Sequence, residues 1–226
     1  MIPVYEDNHI IIVSKSCGEI VQGDKTGDTP LSETVKVYLK DKYQKSGNVF
    51  LGVVHRLDRP VAGLVVFAKT SKALSRLDVM FSKGDVHKTY WAIVQNVPEI
   101  PERTLVNWIV RKEKQNKSYV YDHEVSESKK AILHYKVIGH SDHYCLLEVN
   151  LMTGRHHQIR CQLAHIGCPI KGDLKYGAKR SNPGGGIDLL AHQIEFVHPV
   201  SKKTILVTAP VPDNRLWKDI TSNVED

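Results

Sequence analysis

Cysteine is scarce in this chain, with four among 226 residues. Cys17, Cys145, Cys161 and Cys168 form no Cys-x-x-Cys pair, so a disulfide framework is not expected. No secretory signal opens the sequence, and a reducing cytoplasm is the expected location. Long apolar runs are also missing. The longest, residues 61–68, contains Gly63 and falls far short of the roughly 20 residues of a membrane helix, so no membrane association is expected. Glycine is not arranged as a phosphate-binding loop: Gly23, Gly27 and the 184–186 run do not match one, and no nucleotide cofactor is expected. A Gly-x-Ser-x-Gly elbow is absent, which argues against a Ser-His-Asp hydrolase. Nor do the histidines suggest a metal. His156 and His157 are adjacent and would point apart on a helix, and His55-x-x-Asp58 lacks companion ligands.

What is present suffices for a sizeable core. Hydrophobic residues make up 41% of the chain, and its length fits one large domain or two small ones; a single domain over residues 1–226 is expected. Lys and Arg number 31 against 25 Asp and Glu, a formal charge of +6 with a pI near 9.0. That balance suits a polyanion such as RNA, although a generic basic surface would look the same.

Along the chain, residues 9–13 form a β-branched run that reads as an early strand. Pro30 suits a first helical turn, and Leu31, Val35, Tyr38 and Leu39 then share one face. Residues 50–54 and 64–68 read as strands flanking a polar loop, 56–60. Ser71 can cap a helix carrying Leu74, Leu77 and Phe81, which Gly84 would end. Residues 86–94, 105–110, 132–138, 144–151, 194–197 and 204–208 read as further strands, and a helix from His156 carries Ile159, Leu163 and Ile166 on one face before Gly167 and Pro169. Strands outnumber helices without alternating with them, which predicts an α+β fold with a mostly antiparallel sheet. The stretch 181–186 reads as a surface loop.

Two segments carry the chemistry. In VHRLDRPVAGLVVFAKTSKA, Asp58 stands among His55, Arg56 and Arg59, a cationic setting that keeps the acid ionised and usable as nucleophile or base. An ordinary loop ion pair between Asp58 and one arginine explains the same residues. In LMTGRHHQIRCQL, Arg155, His156 and His157 crowd a helix N-terminus, where cations are disfavoured unless an anion binds; weak protonation of the histidines would soften that argument. Arg160, one turn in, borders the buried face and needs an anionic partner, for which Asp58 is the candidate.

Five blocks in order then make the chain resemble the RluA-type family of pseudouridine synthases over nearly its whole length. They are Val4-Tyr5-Glu6-Asp7-Asn8-His9, VHRLDRPVAGLVVFAKT, VHKTYWAIV, TGRHHQIRCQLAHIGCPIKGD, and the pair Leu190-Ala191-His192 with Phe196-Val197-His198-Pro199. The resemblance implies the pseudouridine synthase fold, a long bent mixed and mainly antiparallel sheet flanked by helices and loops, with a central RNA-binding cleft. It implies that Asp58 is the essential carboxylate, that Tyr90 stacks on or orients the target base, and that Arg160 pairs with Asp58. Arg56 would help flip the nucleotide, Leu163 would line the pocket, and His55, Leu57, Arg59, Arg155 and His156 would contact substrate. Ile159 and Gly63 are read as packing and backbone-geometry residues. The chain departs from the family in having Lys15-Ser16-Cys17-Gly18 where Lys-Pro-x-Gly is frequent, and Ala62 where serine is frequent. An N-terminal S4 domain, carried by many of the family, is not expected, since there is no room for one before Tyr5.

The expected reaction is uridine to pseudouridine in structured tRNA or rRNA by a monomer, without cofactor or metal because no atom is gained or lost. The carboxylate attacks C1′ or C6, or removes the C2′ proton; the sequence leaves all three open. Phosphates would meet Lys69, Lys72, Arg76, Lys83 and Lys88, or Arg111, Lys112, Lys114 and Lys117. A catalytically inactive RNA-binding chaperone of the same fold is the alternative, against which the presence of Asp58, Tyr90 and Arg160 argues.

Overall fold

The computed structural model describes residues 2–222 and 224. In chain order the elements are β1 (Tyr5–Glu6), β2 (Ile10–Lys15), α1 (Leu31–Lys42), β3 (Gly52–Val53), β4 (Ala62–Ala68), α2 (Ser71–Lys83), β5 (His87–Val94), β6 (Glu102–Lys112), β7 (Lys117–Tyr121), β8 (Lys129–His140), β9 (Cys145–Leu151), α3 (Gln158–His165), β10 (Leu189–Val197), β11 (Thr204–Thr208) and α4 (Arg215–Thr221). They fall into two compact units. Of the described residues, one is built from those up to His87 together with Ala191–Pro210, the other from Lys88–Leu190 together with those from Val211 on.

In the first unit the strand order is β1-β2-β4-β10, with β3 also on β4 and β11 on β10. β2 and β4 pair antiparallel from Ile10↔Ala68 to Lys15↔Gly63. Ile10 to Val13 and Val65 to Ala68 are fully buried, which is why both strands read as continuous rather than alternating apolar runs. The strand expected over 50–54 shrinks to Gly52–Val53. α1 starts where expected, but Pro30 sits at the N-cap itself, and the first helical N–H groups of Leu31 and Ser32 donate to the Ile20 and Val21 carbonyls. The cap of α2 is Thr70 rather than Ser71: its Oγ1 accepts from Ala73 N, and Gly84, left-handed at φ 83°, closes the other end.

The second unit orders its strands β5-β9-β8-β6-β7, with antiparallel pairing throughout the registers β5–β9, β9–β8, β8–β6 and β6–β7. α3 seats Cys161 against Ile109, Ala131 and Tyr176. Two elements are absent from the sequence reading. β7 escapes because a buried serine, Ser118, breaks its apolar alternation. α4 is short and buries only Trp217 and Ile220; Asn214 caps it, and Trp217 Nε1 donates to Asp188.

Candidate active site

In the first unit the polar segment before β4 is an irregular loop fastened at several points. The Asp58 carbonyl accepts from Val61 N across a tight turn, and the Arg59 carbonyl accepts from both Gly18 N (2.8 Å) and Lys15 Nζ (3.1 Å). Leu57 is buried, so the backbone on one side of Asp58 is anchored in the core while Asp58 itself is half-buried. His55 stacks on Phe81 at 4.8 Å and its Nε2 accepts from Val66 N. Arg56 is exposed, and Arg59 pairs with Asp28 at 2.7 Å. Asp28, thirty-one positions away, thus takes up the Arg59 charge that sequence proximity would have given to Asp58.

Lys15 lies under this loop, 1% exposed, with Nζ also donating to the Ser16 and Glu19 carbonyls. Burial pushes its ammonium down to about 8, opposed by the negative groups of Cys17, Glu19 and Asp58. Along the sequence this segment stands out only for its missing proline, and no local pattern announces the burial of the lysine.

In the second unit Tyr90 is buried on β5, opposite Val149 of β9. Arg155, His156, Arg160 and Leu163 come together on α3 and the segment leading into it. Arg155 is exposed, with Nε on the Lys130 carbonyl. His156 places Nδ1 at 2.9 Å from Ser118 Oγ. The histidines differ from expectation: neither lies inside the helix, His157 is left-handed at φ 55°, and the two rings stack at 3.7 Å instead of pointing apart. Burial, then Arg160 and His156, push His157 down to about 2, so it is neutral and adds nothing to the charge at the helix end.

Arg160 is 5% exposed, and within its own unit its burial is met by an anionic group, Asp173, 1% exposed. Nε donates to Oδ2 at 2.7 Å and Nη2 to Oδ1 at 2.9 Å. The Arg160 Cζ lies 5.1 Å from the centroid of the Tyr176 ring. Asp173 closes the fourth of the five family blocks, but neither it nor Tyr176 is among the site residues expected from the sequence. The available signal was an acid and an aromatic three apart in Gly172-Asp173-Leu174-Lys175-Tyr176-Gly177. Leu163 is fully buried. Among the described residues no three His, Cys, Asp or Glu side chains gather where they could hold a metal ion, and no helix is long and apolar enough to cross a membrane.

This arrangement of strands recurs in known proteins. The human protein titled RNA Pseudouridylate Synthase Domain Containing 4 superposes with a TM-score of 0.79 at 21% identity, covering 93% of this chain and 88% of that one. The human Domain Containing 1 protein gives 0.71 at 20%, covering 93% and 83%. The fold is therefore the pseudouridine synthase fold, an α+β architecture. Residues 9–165 match the family described as RNA pseudouridylate synthase, and the chain belongs to that family. Ribosomal large subunit pseudouridine synthase D of Xylella fastidiosa is 32% identical over 225 residues, covering 93% of this chain and 66% of the relative. tRNA pseudouridine synthase C of Vibrio parahaemolyticus is 29% identical over 240 residues, covering 98% and 94%. The chain thus spans slightly under two thirds of the first of these relatives.

Proposed function

We propose that this chain isomerises uridine to pseudouridine in structured rRNA or tRNA, with Asp58 as the catalytic carboxylate. The observation that carries the reading is the loop around Asp58: the family's motif residues stand on a segment tied down by Leu57, by the Asp58–Val61 turn and by two donors on the Arg59 carbonyl. A reacting carboxylate needs such rigid backing, because small misplacements cost orders of magnitude in rate. Membership of the family and the names of the two bacterial relatives support the substrate class.

The reaction breaks the C1′–N1 bond, turns the uracil and rejoins it through C5. Atoms and electrons balance within the nucleoside, so the reading includes no cofactor and no metal. Asp58 attacks C1′ or C6, or takes the C2′ proton; each route requires it ionised. Tyr90 serves as the platform for an extruded base, and Arg160 as the cation acting with Asp58. His55, Arg56, Leu57, Arg59, Arg155, His156 and Leu163 complete the substrate-binding set. The whole chain acts as one catalytic domain, a monomer in the cytoplasm.

Incubation with RNA tritiated at uridine C5 tests this directly. Isomerisation releases tritium from intact RNA, a hydrolase consumes water and yields cleaved RNA, and an inactive RNA-binding protein does neither. Asp58→Asn is expected to abolish release; release at the original rate refutes the assignment.

A further inference from the structure

We propose that Asp173 and Tyr176 are positioning residues that set the direction of the Arg160 guanidinium, which adds two members to the catalytic machinery. The inference rests on the reading of Arg160 given above. A guanidinium has a plane and an edge, and both are specified here. Asp173 takes the Nε–Nη2 edge in a two-bond chelate, which defines the plane and the in-plane rotation. The Tyr176 ring lies 5.1 Å from the same carbon centre and meets the group from another side.

Both supports are themselves held. The Asp173 carbonyl accepts from Tyr176 N at 3.1 Å and from Ala178 N at 3.0 Å, while its own N–H donates to the Ile170 carbonyl. The acid is thus the residue that opens the short helical turn Leu174–Tyr176, and the tyrosine is the residue that ends it. The Tyr176 hydroxyl accepts from Ser118 N at 2.8 Å and lies 2.8 Å from His157 Nδ1. With the hydroxyl oxygen occupied by Ser118 N–H, its proton points to His157, and a neutral His157 can accept it. The left-handed backbone of His157 brings that ring to the tyrosine immediately before α3 begins, three residues from Arg160. The chain thus closes on itself: β7 holds Tyr176, Tyr176 holds His157 at the head of α3, and Asp173 holds the arginine one turn in.

Stability alone is a weak reason for this construction, since a buried ion pair is often no more stabilising than well-packed apolar residues of the same volume. Orientation is the stronger reason. An arginine needed for its charge must present that charge in one direction when RNA has excluded water, and a flexible side chain with four rotatable bonds does not do so unaided.

The test is a double-mutant cycle on single-turnover tritium release, with RNA affinity measured separately by filter binding and folding checked by circular dichroism. Asp173→Asn keeps the size of the side chain and removes its charge; it is expected to lower the rate by about tenfold or more while the Kd for RNA changes by less than about threefold. Arg160→Lys, which cannot chelate, should fall at least as far, and the double variant should be no slower than Arg160→Lys alone. Multiplying losses in the double variant, or Asp173→Asn at the wild-type rate beside a slow Arg160→Lys, overturns the proposal and leaves the reading of Arg160 intact. Arg160→Lys at the wild-type rate overturns the proposal, and only Arg160→Leu at the wild-type rate overturns the reading of Arg160 as the cation. If Asp173→Asn does not fold, Tyr176→Leu decides: it removes the ring and spares the ion pair, and a rate within about twofold of wild type refutes the positioning role.

Discussion

Gly63 is the position where a single methyl group should do the most harm. It pairs with Lys15 in β4, five residues after Asp58, and its φ of +117° lies where side chains are rarely tolerated. A Cβ built there meets the Ala191 backbone of β10 at 2.4 Å from O, 2.5 Å from N and 2.8 Å from C. Ordinary contacts begin near 3.4 Å, so β4 and β10 would have to separate by nearly an ångström or the backbone at residue 63 rotate out of the ladder. Gly63→Ala therefore combines backbone strain of about 1–3 kcal/mol with overpacking of about 1–3 kcal/mol. It recovers about 0.4–1 kcal/mol from a less flexible unfolded chain. The net is a loss of about 1–6 kcal/mol, or very roughly 2–20 °C in Tm for a chain of this length. Urea unfolding followed by tryptophan fluorescence measures it as a lower midpoint at unchanged slope. Tritium release should fall with it below the unfolding transition, because the strand that moves carries the Asp58 loop. A Gly63→Ala protein within about 0.5 kcal/mol of wild type would show that neither the positive φ nor the Ala191 approach governs this position.

Two further outcomes follow from charge. Burial raises the Glu6 carboxyl, but hydrogen bonds from Lys42, Lys69 and Tyr43 outweigh it and bring the group down to about 2. A depressed folded value contributes stability above the unfolded value of 4.5, which is lost as pH falls through about 2, so Glu6→Gln should flatten the acid limb between those limits. Discounting the exposed Lys42, the effect is about 1–2 kcal/mol, read as the pH dependence of the urea midpoint; parallel curves for wild type and variant would refute it. RNA binding should weaken steeply with salt, but through fewer cations than the sequence offers. Lys69 is engaged by Glu6, Arg76 donates to the Pro199 carbonyl, and burial lowers the Lys88 ammonium. The remaining lysines and arginines predict a slope of log K against log salt of about −3 to −5, and a slope shallower than about −1 would contradict phosphate contacts of this kind.

Much of the architecture is legible along the chain because its signals are local. α1 and α2 announce themselves through apolar spacing, a proline at one entrance and a left-handed glycine at one exit. β2, β4, β5, β8, β9, β10 and β11 stand out as short continuous or alternating apolar runs, and the five family blocks identify the Asp58 segment without any three-dimensional knowledge. Short elements with few buried residues, β7 and α4, carry too little periodic signal to be read. Gly63 is an intermediate case: the sequence marks it as a backbone-geometry residue, while the approach of Ala191, 128 positions away, supplies the reason.

The sequence by itself determined the family, the α+β class and the identity of the acid on which the proposed chemistry turns, since these rest on residue types at fixed spacing within continuous segments. Only the tertiary structure supplied charge contacts within each unit that no spacing along the chain announces. Arg59 goes to Asp28, Lys15 to the backbone of the Asp58 loop, and Arg160 to Asp173 with Tyr176 beside it. The physical reason is that a buried charge requires a partner, whereas its place along the chain does not say which of the available partners the fold will bring to it.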